Sequence, residues 1–451
     1  MSAVAYSYRY LHPSSLSEEG SKPKLTLATT DGAGHPYFFE GRALDPALTA
    51  QLLSAVHLVV GSRFFTPANT LERILRLADP VVTSGGGVLR FEGFSGCCST
   101  YIRVDLHPGA YQGDVVGKGT TNVDFNEPMR AALARIRPDT EFNLAIGRNE
   151  LTVRASGAEV TERKVELPVR WIRGMVEVQS YQACMRKQFE ASPTDVLRLF
   201  RAMPKASTSR TPLWFARGAS GLFTTTRQVE GGVRVTDTRR LRVLTSLVPK
   251  ARNVSVYADD AHQSSAWALD FGSSRVTLAL SAEVWRGFSG EGQALWALMR
   301  MKGDQSASAM TRVRAQLQWQ AALDPKVLAR ELDLEESVVA DTLRVLGASG
   351  LAGYDLLDGS YFHRVLPFDL ALLEDLHPRI VDAQALLERG AVTVVIAEPF
   401  EASVKSGEIA HRVREIEGAL RCTCPWYARH EGNRGPCKHV LAAVAQRYSS
   451  Q

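Results

Sequence analysis

The chain has 451 residues, of which 45% are hydrophobic and 22% charged, and a formal net charge of +5. That composition is globular and long enough for two to four domains with their own cores. It excludes a disordered or collagenous chain. The absence of any run of about 18 apolar residues excludes a helical membrane span. The N-terminal stretch lacks a basic start followed by an apolar segment, so no secretory leader is expected. Six cysteines in 451 residues do not make a disulfide framework, which points to a reducing, cytoplasmic setting.

From the N-terminus, a short amphipathic helix followed by β-hairpins recurs four times. The first helix lies in TPANTLERILRLADP, with Leu71, Ile74, Leu75 and Ala78 on one face. The second lies in FNEPMRAALARIRPD, around Met129, Leu133 and Ile136. The third lies in SPTDVLRLFRAMP, around Val196, Leu199, Phe200 and Met203. The fourth lies in TDTRRLRVLTSLVPKA, around Leu241, Leu244, Leu247 and Val248. Asn69, Ser192 and Thr236 or Asp237 are N-cap types, and Pro128 and Pro193 suit the first helical turn. The polar faces are basic, and Arg198, Arg201 and Lys205 fall at i, i+3 and i+7, one stripe of a helix. With Arg239 and Arg240 they are candidate phosphate contacts. Gly85, Gly86 and Gly87 read as a hairpin turn, because no Lys-Ser/Thr follows them. Cys97 and Cys98 are adjacent and face opposite ways on a strand, so they read as packing residues or a free thiol.

A helix-plus-hairpin unit used four times resembles the DNA sliding-clamp fold over residues 40–285. The resemblance implies an N-terminal α+β domain over 1–168 and a second over 169–288, with helices lining one side. After a looser stretch, residues 305–370 read as a winged-helix-like domain, with Asp358-Gly359 turning the wing. Glu335, Glu336 and Asp341 on its second helix, against Arg344 alone, argue for a structural or protein-binding role rather than base reading.

The end of the chain, RCTCPWYARHEGNRGPCKHVLAAV, has the sharpest signal. Cys422 and Cys424 form one pair and Cys437 and His439 another, joined by a loop containing Pro, Gly and Asn. Three thiolates and an imidazole are the donors of a tetrahedral zinc site. An apolar run at Val392 to Ile396 supplies a strand, and Val440, Leu441, Val444 and Ala445 mark a closing helix. His430 in the loop is a competing ligand. Trp426 and Tyr427 can stack on a base, anchor a partner, or pack on the zinc core.

Cys-x-Cys, a variable loop, Cys-x-His and the CKHVLA tail resemble the SWIM-type zinc finger, here over 390–451. The resemblance implies one structural Zn²⁺ held by Cys422, Cys424, Cys437 and His439, and binding of DNA or protein. The finger's candidate nucleic-acid contacts are Arg429, Arg434 and Lys438. No nucleophile elbow, zinc-protease helix, P-loop or dinucleotide fingerprint is present. The expectation is a multidomain α+β, non-enzymatic, zinc-containing nucleic-acid-binding protein. The alternative is an adaptor. Bacterial SWIM proteins of this layout resemble partners of MoxR-type AAA+ ATPases and von Willebrand A-domain proteins in defence or stress systems.

Overall fold

The computed structural model describes residues 15–19, 22–27, 37–66, 80–114, 118–122, 127–147, 154–155, 158–159, 169–203, 211–259, 263–290, 292–299, 304–366 and 377–449. No helix among them is long and apolar enough to cross a membrane. The expected first helix falls at 66–80, and 67–79 lie outside the described residues. The Lys205 position lies outside them too.

The centre is an eight-stranded antiparallel sheet in the order Arg186–Ala191, Asn253–Asp259, Ser264–Asp270, Ser274–Leu280, Thr100–Leu106, Val88–Phe94, Val81–Gly85 and Gly119–Asn122. Leu278 pairs with Ile102, so one sheet crosses the boundary expected at 168/169 and joins the two N-terminal domains. A five-stranded sheet built from residues 15–147 flanks it. The turn after Val81–Gly85 has positive φ at Gly86 (58°) and Gly87 (80°), a hairpin conformation as expected.

Three of the expected helices fall within the described residues. Pro193–Ala202 begins at Ser192, whose side chain accepts from the Asp195 N–H, and it buries Val196, Leu199 and Phe200. Glu127–Leu133 is a short helix with Leu133 buried. The fourth is a 3₁₀ helix, Thr238–Ser246, rather than an α-helix. Its apolar residues Leu241, Leu244 and Leu247 recur every third position, which three residues per turn line up on one face.

In the N-terminal half, two helices were not anticipated. Pro46–Val60 is capped by Asp45 and packs its apolar face on the strands Val88–Phe94 and Thr100–Leu106. Val169–Gln182 runs through the middle of the molecule with Trp171, Met175 and Val178 buried, and so are Glu177, Gln179 and Gln182. Polar residues sit on several sides of this helix, Gln179 and Gln182 as well as Arg170, Arg173 and Glu177, which blurs the apolar stripe that periodicity detects.

The strands Val88–Phe94 and Thr100–Leu106 alternate apolar and charged residues. Leu89, Phe91, Ile102 and Val104 are buried in the sheet's hydrophobic core. The charged set is also buried. Arg90 stands opposite Asp105, and Glu92 opposite Arg103, all at 0–1% exposure. The cover comes from the segment after residue 304. There, helices Asp304–Ala315, Pro325–Leu332 and Glu336–Ala348 precede a hairpin, Ala352–Asp355 with Ser360–His363, turned at Gly359 (φ 62°). This segment has its own small core of Leu328, Leu332, Val339, Leu343 and Leu346.

From it, Asp355 binds Arg103 at 3.0 Å and Arg364 binds Glu92 at 2.5 Å. Arg103 also holds Asp105 at 2.9 Å and donates to the Tyr354 carbonyl. Arg90 lies 3.5 Å from Asp105, donates to the Ala321 carbonyl at 3.0 Å, and stacks 4.0 Å over the Phe362 ring. Arg364 reaches the Met175 carbonyl of the central helix at 3.0 Å. Three guanidiniums thus meet three carboxylates, and the Tyr101 hydroxyl donates to Glu92.

Burial pushes Asp105 up to about 6, and Asp355 adds like charge. Burial opposes ionisation of Glu92 and Asp355 too, but Arg364 and Arg103 hold them below their ordinary values of 4.5 and 3.8. Removing one partner from a buried pair costs about 3–5 kcal/mol, so Arg364→Met should lower the urea midpoint by a corresponding amount. The pH signs are opposite within the cluster. Glu92 and Asp355 contribute stability that disappears as pH falls below their unfolded values. Asp105 keeps its proton in the folded state up to about 6 but loses it near 3.8 when unfolded, so its contribution declines as pH rises between those values. The stability difference between wild type and Asp105→Asn should therefore shrink by about 1–3 kcal/mol from pH 4 to 6 and stay flat above 7. A difference that does not change with pH across urea titrations would contradict this assignment.

Candidate metal centre and basic surface

The C-terminal region is a four-stranded antiparallel sheet in the order Val392–Ile396, Glu401–Ser406, Ile409–Ile416, Ala419–Cys422. Helix Pro378–Glu388 precedes it, and helices Pro425–His430 and Lys438–Ser449 follow. Its core is small: Ala402, Val404 and Val413 from the sheet, with Val440, Leu441 and Val444 from the last helix.

Cys422 ends the last strand, and Cys424 is the N-cap of Pro425–His430. Cys437 lies just before the closing helix, and His439 lies in its first turn, as the spacing predicts. Their donor atoms all lie within 4.8 Å of one another, and all four residues are buried. Both ring nitrogens of His439 are buried without a protein hydrogen-bond partner. An imidazole buried without a protein partner fits a metal-ligating role. The sulfurs are oriented by backbone donors: Tyr427 N–H to Cys424 Sγ at 3.3 Å and Val440 N–H to Cys437 Sγ at 3.5 Å. The His411 ring packs on His439 at 4.4 Å between centroids. The Cys422 thiol hydrogen-bonds Cys437 and pushes it down to about 4, while Cys422 itself is pushed up. So many buried thiols cannot all ionise without a cation among them.

The residues fit one zinc ion with four protein ligands, a closed structural site. His430 is not among the converging donors; its ring lies edge-on to Trp426 at 4.8 Å. Trp426 is also covered by the Arg379 guanidinium at 4.9 Å, and Trp426 and Tyr427 both pack against the finger's core. The packing reading of both aromatics therefore holds.

The finger is bound to the body through its loop. Arg434 donates twice to the Gly290 carbonyl, at 2.8 and 3.1 Å. Arg379 donates to the carbonyls of Arg434 and Pro436, each at 2.8 Å. A Cβ on Gly435 (φ 75°) would overlap the Gly292 backbone, and one on Gly292 would overlap Arg379. The buried Glu177 accepts from the Gln293 and Ala294 N–H groups at the start of the adjoining helix Ala294–Met299.

The proposed phosphate contacts divide sharply. Arg198 and Arg201 are exposed, and Arg198 has only a 3.4 Å contact to Asp195. Arg429 is also exposed. Arg239 is clasped by Asp237. Arg240 must be withdrawn as a phosphate ligand. It is 1% exposed, and its guanidinium donates to the carbonyls of Ser99, Ser281 and Thr236. Burial without a carboxylate in direct contact pushes its pKa down to about 10. Arg434 is occupied by Gly290, and Lys438 pairs with Asp382 at 3.4 Å. Helix Glu336–Ala348 buries Val339, Leu343, Val345 and Leu346, and packs on the central helix and on Ala294–Met299. What it leaves outward is mostly acidic, Glu335, Glu336 and Asp341 beside Arg344.

A basic row was missed as a site. On the finger's solvent face stand Lys405, Arg412, Arg414 and Arg421. Arg414 is directly opposite Arg421 across two strands. The arginine side chains are 61%, 46% and 53% exposed. Their signal is the alternation Arg412-Val413-Arg414 and Arg421-Cys422, with the intervening residues buried.

The SWIM zinc finger family model matches residues 412–448. Among solved structures, the N-terminal region is similar to sliding clamps. The proliferating cellular nuclear antigen of Entamoeba histolytica matches with 8% identity and a TM-score of 0.32, covering 54% of this chain and 98% of its own. The DnaN sliding clamp of Bartonella birtlesii matches with 13% identity and a TM-score of 0.34, covering 54% and 66%. The Caulobacter crescentus beta sliding clamp matches with 14% identity and a TM-score of 0.36, covering 63% and 76%. With every TM-score below 0.5, nothing about ligand or activity follows from these likenesses. The curated proteins contain no match.

Purified protein should carry about one zinc per chain by elemental analysis. Cys422→Ser with Cys424→Ser should lose it and deprotect the amides of 391–449 to hydrogen exchange. A double variant that keeps its zinc would mean that other residues bind it.

Proposed function

We propose that the chain is a zinc-containing, non-enzymatic nucleic-acid-binding protein whose principal contact is the solvent face of the zinc-stapled sheet. The observation that carries this reading is the Arg414–Arg421 cross-strand pair, extended by Arg412 and Lys405. Like charges directly opposite on a sheet are destabilising. Glu401 at 3.0 Å from Arg414 and Glu417 at 3.9 Å from Arg421 offset only part of that cost. An anionic backbone laid across the strands would remove the rest. Arg429 continues the positive field beyond the sheet, and Arg198 and Arg201 supply a second exposed basic site on the body. The contacts are to phosphate, so no sequence preference is expected from them. A zinc with four protein ligands has no open position for water, so it stabilises the fold rather than activating a substrate. The adaptor alternative is favoured, as a protein-binding role in general, by one observation, the bare strand taken up below.

The test is a salt titration with a labelled 30-base single strand and the corresponding duplex. Affinity should fall by orders of magnitude from about 50 to 200 mM salt. Replacing Arg412, Arg414 and Arg421 with Gln should reduce the log–log slope by about 2–3, at roughly 0.7–0.9 for each phosphate no longer neutralised. No binding of either form at the lowest salt rejects the reading. An unchanged slope in the triple variant moves the binding surface away from the finger.

A further inference from the structure

The finger's first strand, Val392–Ile396, is an edge strand with one side of its backbone unpaired among the described residues. The Lys405 N–H donates to the Ala391 carbonyl at 2.8 Å, so Ala391 faces the neighbouring strand. By the alternation of an antiparallel ladder, Thr393 faces it too, and Val392 and Val394 turn their N–H and C=O groups outward. A bulge between Val394 and Ile396 ends that pattern. The side chains are as unusual as the backbone. Val394, Val395 and Ile396 are 36%, 56% and 46% exposed in succession, and Ile409 at the next hairpin is 63% exposed. The strand, VTVVI, contains no charge and no proline. Edge strands are ordinarily guarded by such residues, and an apolar edge without them is a template for another strand.

The geometry points to a strand-addition site for an extended, acidic peptide segment of a partner protein. Outward N–H and C=O groups call for an extended chain, not a helix. A second copy is the weaker occupant. A five-residue strand is about 17 Å long, and pairing two of them buries far less than the roughly 1,200 Å² of a standard stable interface. A peptide needs no such area. Charge selects its composition. On the outer face, the row Thr393, Ser403, Arg412 runs back from the edge, and Lys405 flanks it. Glu401 on that face lies between Arg412 at 3.7 Å and Arg414 at 3.0 Å, and the exposed Glu398 follows the strand, against Lys405, Arg412, Arg414 and Arg421, so the face as a whole is net positive. The fitting segment alternates apolar residues, covering Val392 and Val394, with carboxylates towards Lys405 and Arg412.

The proposal does not rest on nucleic-acid binding, and its test is separate. The probe is a fluorescent nine-residue peptide of alternating valine and glutamate, titrated onto the full-length zinc-loaded protein. Matched valine–lysine and proline-interrupted peptides serve as controls. The valine–glutamate peptide should bind, at least tenfold tighter than either control, and should protect the Val392 and Val394 amides from exchange. Val394→Pro removes an outward donor without breaking a bond to the neighbouring strand. It should weaken the peptide at least tenfold, keep one zinc per chain, and leave the DNA salt slope unchanged. Val395→Lys gives the same expectation by an independent change. Equal binding of the valine–lysine peptide, or binding untouched by both variants, overturns the proposal. So does sedimentation showing a wild-type dimer that Val394→Pro dissociates, because a second copy would then be the occupant.

Discussion

Three buried guanidiniums set against three buried carboxylates are the constraint around which the rest is arranged. Arg90, Glu92, Arg103 and Asp105 lie on one face of two adjoining strands. Asp105 is the carboxylate that both Arg90 and Arg103 approach, which leaves Glu92 with the Tyr101 hydroxyl as its neighbour within the strands. Asp355 and Arg364 complete the balance from a segment some 250 residues further along. Until that segment docks, these charges lack the partners that make their burial tolerable. Association of the helical segment with the sheet is therefore a condition of folding, and the two belong to one body.

In that body the third helix of the segment has a packing role, in keeping with its acidic residues. Helix Glu336–Ala348 lies against the central helix Val169–Gln182, whose Gln179 accepts the Tyr354 N–H and whose Glu177 caps the helix leading to the finger. One buried helix thus meets the helical segment and the approach to the zinc site through polar contacts, and the sheet through Trp171 against Phe94. On the finger this packing leaves two surfaces uncovered, the arginine face and the apolar edge. The two lie on the same small sheet and differ in character, one charged and the other apolar with an unpaired backbone.

The legible parts of the sequence were those with a local pattern. The two ligand pairs, the hairpin turn at Gly85–Gly87 and the helix Pro193–Ala202 each follow from residues within a few positions of one another. What escaped notice depended on distant partners. Alternation of charge along LRFEG and YIRVDL ordinarily marks a solvated face. Here its counter-charges come from Asp355 and Arg364. Arg240 reads as a surface cation because nothing near it in sequence shows that Ser99 and Ser281 bring their carbonyls to it. Arg434 and Lys438 read the same way, and tertiary contacts have taken both. The helices Pro46–Val60 and Val169–Gln182 escaped because their patterns are blurred: the first carries the apolar Leu58 on its exposed side, and the second carries buried Glu177, Gln179 and Gln182.

The face-to-face approach of Gly292 and Gly435 has a consequence for descent. A side chain at either position collides with main chain or with Arg379, so no compensating change at the opposite glycine can rescue it. Neither position can drift while the two surfaces remain in register. A finger transplanted from another lineage would seat on this body only if it brought its own glycine two residues before the third cysteine.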